Sequence, residues 1–316
     1  MARDCYLGVD GGGTKTRFAL VDAQGTLLAE AQFGTTYHPQ VGLDGTRDTL
    51  ASGIEAVLSA TGTTREAIRH AFFGLPAHGE DSRIAPLLDA IPRDLLGHDR
   101  YACDNDMVCG WAGSFACADG INIVAGTGSI GYGQRRGAAA RAGGWGEAFS
   151  DEGSAYWIAV QGLNLFSRMG DGRAPKGPLH ALLRERLQLQ HDLDLCAHVY
   201  GEHALARGEL AQLSPLVAEA AHSGDEGAAA IFRHAGTELA HIADALRIAL
   251  AFEPGEQVPV SYSGGAFSAG ELLLAPFTHA LQARDPAFDL RTPLHAPHYG
   301  AALYARHLSR THDVPA

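Results

Sequence analysis

Residues 6–18 read Tyr-Leu-Gly-Val-Asp-Gly-Gly-Gly-Thr-Lys-Thr-Arg-Phe. An apolar strand runs into an aspartate, three glycines and two threonines, then returns to apolar residues. Few chemistries need that order. The strand sets Asp10 at its end. Gly11, Gly12 and Gly13 let the backbone pass close to a ligand. Their N–H groups, with Thr14 and Lys15, can face phosphate oxygens. Asp10 suits a hydrated magnesium ion, which takes carboxylates, phosphates and water. The segment is not a P-loop. That motif needs Gly-Lys-Ser/Thr, and Thr14 stands where its last glycine belongs. The plainer alternative is a hairpin with a flexible tip, although a tight turn rarely needs three glycines.

The same arrangement returns. Gly120–Ala125 is an apolar strand that ends in Gly126-Thr127-Gly128-Ser129, and Tyr132–Arg136 reads as the returning strand. Strand, glycine turn and strand thus occur twice, as in a protein of two related halves. Gly126–Gly131 also fits Gly-x-Gly-x-x-Gly. A dinucleotide fold requires a helix next, whereas residues 132–137 read as strand and turn.

Between and after these turns, strands alternate with helices, which makes the class α/β. Thr26–Phe33 completes a three-strand meander. Asp44–Ser59 reads as a helix capped by Asp44. Ala71–Leu75 is a buried strand. Ser82–Ala90 reads as a helix with Ser82 as its cap and Ile91-Pro92 as its end. Arg100–Asp104 is a strand leading to Asp106 and a helix through Ala116. Ser154–Phe166 and Glu226–Phe252 are helices, the latter with Ile231, Phe232, Leu239, Ile242, Leu246 and Leu250 at three- and four-residue steps. Val258–Ser263 is a strand ending in Gly264-Gly265-Ala266. A last helix runs from near Tyr299 to about Leu308.

Composition narrows the partners. A net charge of −12 argues against nucleic acid. Lys15 and Lys176 are the only lysines, so backbone amides and a metal ion would carry most of the phosphate charge. The five cysteines form no Cys-x-x-Cys pair, which speaks against zinc or a disulfide framework. His234 and His241 share a helix face but stand too far apart to hold a metal readily. No run of about eighteen apolar residues spans a membrane, and the N-terminus has no apolar signal region. A cytoplasmic protein is expected.

Two further segments carry chemistry. Cys103-Asp104-Asn105-Asp106 sets carboxylates at a strand end, where one can accept a proton from a substrate hydroxyl. Gly143-Gly144-Trp145-Gly146, followed by Ser150-Asp151-Glu152-Gly153-Ser154, suits a sugar, with an aromatic face for C–H groups and carboxylates for hydroxyls. Asp151 also fits a helix-start acid.

Taken in order, these motifs resemble the N-acetylglucosamine kinase branch of the BadF/BadG/BcrA/BcrD ATPase family, within the superfamily of sugar kinases, actin and heat-shock chaperone ATPases. The resemblance runs from Tyr6 to Tyr299-Gly300-Ala301-Ala302. It implies two ribonuclease-H-like lobes with ATP and sugar in the cleft between them: residues 1–118, joined by a C-terminal helix at about 297–316, and residues 119–296. It implies Asp10 as the magnesium-associated aspartate and Thr14 as a phosphate contact beside Gly11, Gly12, Gly13 and Lys15. Thr127 and Gly128 match the second phosphate loop, and Gly264, Gly265 and Ala266 the adenosine side. Asp106 matches the catalytic base, with Asp104 its nearest rival. Gly144, Trp145 and Asp151 match sugar contacts.

The implied activity is phosphorylation of N-acetylglucosamine at C6 with ATP and magnesium. Two departures leave the sugar open among N-acetylglucosamine, glucosamine and other hexoses. Thr35-Thr36-Tyr37-His38-Pro39 lacks the family's sugar-contacting Asn, and Ile130 stands where a polar residue is usual. An ATPase driving a partner protein and a non-catalytic sugar sensor are the readings from other classes. A homodimer is expected by analogy.

Overall fold

The computed structural model describes residues 4–312. The chain divides into two compact units. The first holds residues up to Asn122, Gln134–Gly137 and the stretch from Thr292 onward. The second holds Ile123–Gly133 and Ala138–Arg291.

In the first unit a meander of β1 (Cys5–Gly11), β2 (Thr16–Asp22) and β3 (Leu27–Phe33) is followed by α1 (His38–Thr61), β4 (Ile68–Leu75), α2 (Ala85–Leu96), β5 (Tyr101–Asn105) and α3 (Met107–Phe115). The chain continues through β6 (Gly120–Ala125), β7 (Ser129–Arg135) and β8 (Ala138–Gly143). The helices α4 (Ala155–Gly170), α5 (Pro178–Arg186), α6 (Leu195–Tyr200), α7 (Arg207–Ala211), α8 (Ser214–His222) and α9 (Glu226–Ala249) come next. Then come β9 (Val258–Ser263), α10 (Glu271–Arg284), β10 (Phe288–Leu290) and α11 (Pro297–His312).

The first sheet has the order β3-β2-β1-β4-β5. Its meander is antiparallel, and β1, β4 and β5 run parallel. The second sheet has the order β8-β7-β6-β9-β10, with β9 and β10 parallel. The two orders are the same, so the duplicated strand–turn–strand of the sequence is a duplicated topology.

Strand alternation sends side chains to both faces of the first sheet. Leu7, Val9, Phe18 and Leu20 join Leu50, Ile54, Ile68 and Phe73 in one buried cluster. Ala19 and Val21 pack on the other face against Ala302 of α11. This second layer is thin because small residues face each other. A Cβ on Gly8 would lie 2.0 Å from the Ala302 nitrogen. Ala301 and Ala302 are therefore the part of α11 that docks on β1, while Gly300 lies against Gly113 of α3.

Two helix starts differ from the sequence reading. α1 begins at His38, with Pro39 in its first turn, and Gly42 breaks it with φ 70° and ψ 176°. Asp44 is inside the second run and does not cap it; the Thr46 hydroxyl donates to the Gly42 carbonyl at 2.9 Å. α2 starts at Ala85, not Ser82, and passes through Pro92 to Leu96. Burial of Leu88, Ile91, Pro92 and Leu96 outweighs the one hydrogen bond that proline removes. Two caps that the sequence reading did not name are formed by side chains. The Ser154 hydroxyl accepts from the Trp157 N–H, and Asp225 accepts from Ala228 ahead of α9. None of the described helices is long and apolar enough to cross a membrane.

Gly8→Val should destabilise the protein by about 3 kcal/mol or more, because the clash is with backbone and cannot relax by a rotamer change. Gly34→Ala, where an added Cβ meets nothing within 4 Å, serves as the control. Denaturant titration of both variants checks this, and equal midpoints would exclude the tight α11–β1 packing.

Candidate functional site

In the first unit, β1 delivers Asp10 and the turn beyond it. The turn is closed by the Gly12 N–H donating to the Lys15 carbonyl at 2.9 Å, and Gly13, Thr14 and Lys15 are exposed. Two threonines brace it. The Thr35 hydroxyl donates to the Gly12 carbonyl at 2.7 Å, and the Thr16 hydroxyl meets the Thr36 hydroxyl at 3.1 Å. Thr35 and Thr36 are buried. The stretch that lacks the expected Asn thus buttresses the glycine turn.

Sheet register brings the carboxylates together. Asp10 pairs with Gly74 across β1 and β4, and Gly74 pairs with Asp104 across β4 and β5. Gly74 has no side chain, and the start of α3 settles over it. A Cβ there would lie 2.2 Å from the Cys109 sulfur and 3.1 Å from the Asp106 Cα. Asp106 occupies the position before α3 but does not cap it. Asn105 does so, accepting from the Met107 N–H at 3.2 Å while its amide donates to the His78 carbonyl at 3.3 Å. Asp104 is exposed, and its carboxylate accepts from the Asn105 N–H at 2.7 Å.

The Asp10 carboxyl is pushed up to about 8, first by burial and then by the charge of Asp106, with Arg17, a Cys109 hydrogen bond and Lys15 pulling the other way. A buried carboxyl whose proton affinity is raised by a neighbouring carboxylate suits a divalent cation, which relieves that repulsion. Among the described residues no cluster of three or more His, Cys, Asp or Glu forms. One or two carboxylates fit magnesium, which keeps waters and phosphate oxygens as its other ligands.

In the second unit, three sequence motifs meet around the turn between β6 and β7. The Gly126 N–H donates to the Gly128 carbonyl, and the Gly126 carbonyl accepts from the Ala155 N–H at the start of α4, each at 2.9 Å. The Ser129 hydroxyl donates to the Glu152 carbonyl at 2.7 Å. Gly264, with φ 100°, lies against the end of β6; a Cβ there would be 2.4 Å from the Ala125 carbonyl. Gly265 faces open space, and Ala266 is buried. Thr127 and Gly128 are partly exposed at the turn itself.

Asp151 is 3% exposed and sits at φ 61°, a left-handed conformation that Asp tolerates better than most residues. One carboxylate oxygen accepts from the Ser129 N–H at 3.4 Å, and the other pairs with Arg207 at 2.5 Å. Burial pushes this carboxyl up, and the Arg207 guanidinium offsets part of the rise. Arg207 also reaches Glu147 at 3.2 Å. Gly144, at φ 70°, rests on Ile130, whose side chain a Cβ would meet at 2.7 Å. Trp145 follows it, 74% exposed.

Sequence motifs thus converge in each unit: Asp10, Gly11–Lys15 and Asp106 in the first, and Thr127, Gly128, Asp151 and Gly264 in the second. Arg207 was not singled out, and Thr35, Thr36 and Asn105 were named only within longer stretches, without these roles. Arg207 had no motif around it. Asn105 could have been found as a helix-capping Asn before an apolar run. His234 and His241 flank Glu238 and each contacts it at 3.1 Å, which gives both a structural role.

Residues 7–305 match the model of the BadF/BadG/BcrA/BcrD ATPase family, and the chain belongs to that family. Its two five-stranded sheets with flanking helices form the two-lobed, actin- and hexokinase-like fold of sugar kinases. The chain is 30% identical over 314 residues to N-acetyl-D-glucosamine kinase of Dictyostelium discoideum, covering 96% of this chain and 98% of that protein. It is 26% identical over 301 residues to N-acetylmuramic acid/N-acetylglucosamine kinase of Clostridium acetobutylicum, covering 95% and 97%. The crystal structure of a Chromobacterium violaceum protein assigned as an N-acetylglucosamine kinase superposes with a TM-score of 0.74 at 27% identity, covering 96% of this chain and 99% of that one.

Two measurements check the site's electrostatics. The Asp10 carboxyl rises from 3.8 in the unfolded chain to about 8 when folded. Between those values the folded state holds a proton that the unfolded state has lost, so stability of the metal-free protein falls as pH rises. Asp10→Asn removes that slope. Its melting temperature should exceed that of the parent by a few degrees near pH 8 and by much less near pH 5. A constant offset at both would exclude the shift.

Burial pushes the thiols of Cys5 and Cys117 up to about 12 and those of Cys103 and Cys109 well above their usual value. Cys196 is exposed. Native protein should therefore react with an alkylating reagent at Cys196 first, and at all five cysteines only once denatured. Mass-mapped labelling reads the order.

Proposed function

We propose that this protein transfers the γ-phosphoryl group of ATP to the C6 hydroxyl of an amino sugar, N-acetylglucosamine foremost. The observation that carries the reading is the placement of Asp10 and Asp106 over side-chain-free Gly74, at the end of a strand that opens into a glycine turn. One carboxylate is then available for a cation and one for a proton. The names of the relatives support the amino sugar.

Asp106 acts as the general base. Its carboxylate takes the proton of the sugar hydroxyl as that oxygen forms a bond to the γ-phosphorus. The bond from that phosphorus to the β–γ bridging oxygen breaks, and ADP leaves. The amides of Gly11, Gly12 and Gly13, with Thr14 and Lys15, and those around Thr127 and Gly128, hold phosphoryl oxygens as their charge shifts. Asp10 would hold magnesium, which when bound neutralises phosphate charge. Gly264, Gly265 and Ala266 give the adenosine a flat backbone surface. Gly144, Trp145 and Asp151 orient the sugar. Asp104 is a poor base here, since it is exposed and already accepts from Asn105. The cytoplasm, where ATP is made, is the expected setting.

Asp106→Asn should lower kcat about a thousandfold and leave ATP binding nearly intact, while Asp104→Asn should lower it severalfold at most. A coupled assay of ADP release with a panel of hexoses and hexosamines tests the reading. Release that needs an amino sugar supports it. Release indifferent to sugar, or an unimpaired Asp106→Asn enzyme, would overturn it.

A further inference from the structure

Within the second unit, Arg207 joins parts that the sequence had kept separate. It stands at the start of α7, far along the chain from the motifs, yet its guanidinium pairs with Asp151 at 2.5 Å and Glu147 at 3.2 Å. It also lies against the β6–β7 turn, where a Cβ on Gly128 would come within 2.8 Å of it. Asp151 is buried and Glu147 is exposed, so the pair brings one fixed and one solvated carboxylate under a single cation.

We propose that Arg207 is a specificity-determining residue that sets how strongly the sugar site attracts a protonated amine. The inference rests on the reading of Asp151 as a sugar contact. Without Arg207, two carboxylates would face a sugar whose C2 substituent is either a neutral acylamino group or an ammonium ion. Coulomb attraction would then favour the ammonium. Arg207 cancels one of those charges, and it keeps the Asp151 carboxylate ionised and fixed for hydroxyl binding. The site is thereby tuned toward the N-acylated sugar. Arg207 is a positioning residue in this scheme, since it acts through Asp151 and Glu147.

The test compares kcat/KM for glucosamine and for N-acetylglucosamine in the full-length protein with ATP and magnesium. Arg207→Gln should raise the glucosamine-to-N-acetylglucosamine ratio about tenfold near neutral pH. The change should shrink as the pH rises and the amine loses its proton. Arg207→Lys, which keeps the charge, should hold the parent ratio. Glu147→Gln, at an exposed position, should move the ratio the other way, and it serves even if Arg207→Gln fails to fold.

An unchanged ratio in an active Arg207→Gln enzyme would overturn the inference and leave the kinase reading standing. So would a shift that Arg207→Lys fails to reverse, or no movement in Glu147→Gln. If Asp151→Asn left the KM for both sugars as in the parent enzyme, the sugar-contact reading and this inference would fall together.

Discussion

Everything at this site depends on places where a side chain is missing. A backbone amide can approach a phosphate, and a polar group can approach a backbone, only where no Cβ stands between them. Gly74 shows it most directly. Because it ends at its Cα, the first turn of α3 can lie on the sheet, with the Cys109 sulfur and the Asp106 Cα in the space a side chain would fill. A larger residue would lift α3 and carry Asp106 away from Asp10. Gly128 does the same for Arg207, and Gly264 for the contact between the β9 turn and the end of β6. Substituting any of the three would move a charged or hydrogen-bonded neighbour, with little loss of apolar burial.

The duplicated sheet order gives this chain two versions of one scaffold, and they have diverged at the strand ends. Counting back from the first glycine of each turn, β1 presents Asp10 where β6 presents Ala125. Asp10 is partly buried among charges, whereas Ala125 is fully buried against Gly264. One copy has kept a carboxylate at its strand end, and the other uses that place for packing. The turn amides remain in both. Under the proposed function both turns cradle phosphate, and only the first brings a carboxylate that would hold a cation.

Much of this could be read from the chain because the informative residues are local. Each strand bearing a turn was legible from an apolar run ending in glycine, whereas the caps were not: Asp44 and Ser82 were named, and Ser154 and Asp225 do the capping. What escaped depended on tertiary contact. β8 is Ala-Ala-Ala-Arg-Ala-Gly, with no apolar alternation to read. α10 holds Pro276 in mid-helix, which masks its pattern, and β10 has only three residues. At the site, the second-unit turn was visible and the arginine beside it was not. Arg207 becomes meaningful only once folding closes the gap between two distant stretches of chain. The stretch that lacks the expected Asn has a physical role as well. Thr35 and Thr36 brace the first glycine turn, a task that hydroxyls perform by bonding its carbonyl and a neighbouring threonine.

Ile130 shows how an apolar residue can serve a polar site. It forms the floor under Gly144, where a glycine is required twice over, by the left-handed backbone and by the space Ile130 takes up. The chain then turns outward, and Trp145 projects into solvent. A shorter polar residue at 130 would contact Gly144 less closely and hold the loop less firmly. The backbone just before the indole is thus held by van der Waals packing on Ile130. Hydrogen bonds from Arg141 to the Gly144 carbonyl and from Ser150 to Gly146 tie down the two sides of the loop. A glycine-rich loop needs such anchoring, because each glycine adds conformations that the folded state must exclude. Ile130 and the exposed tryptophan therefore belong to one loop, in which packing and hydrogen bonds supply the order that the loop's own sequence lacks.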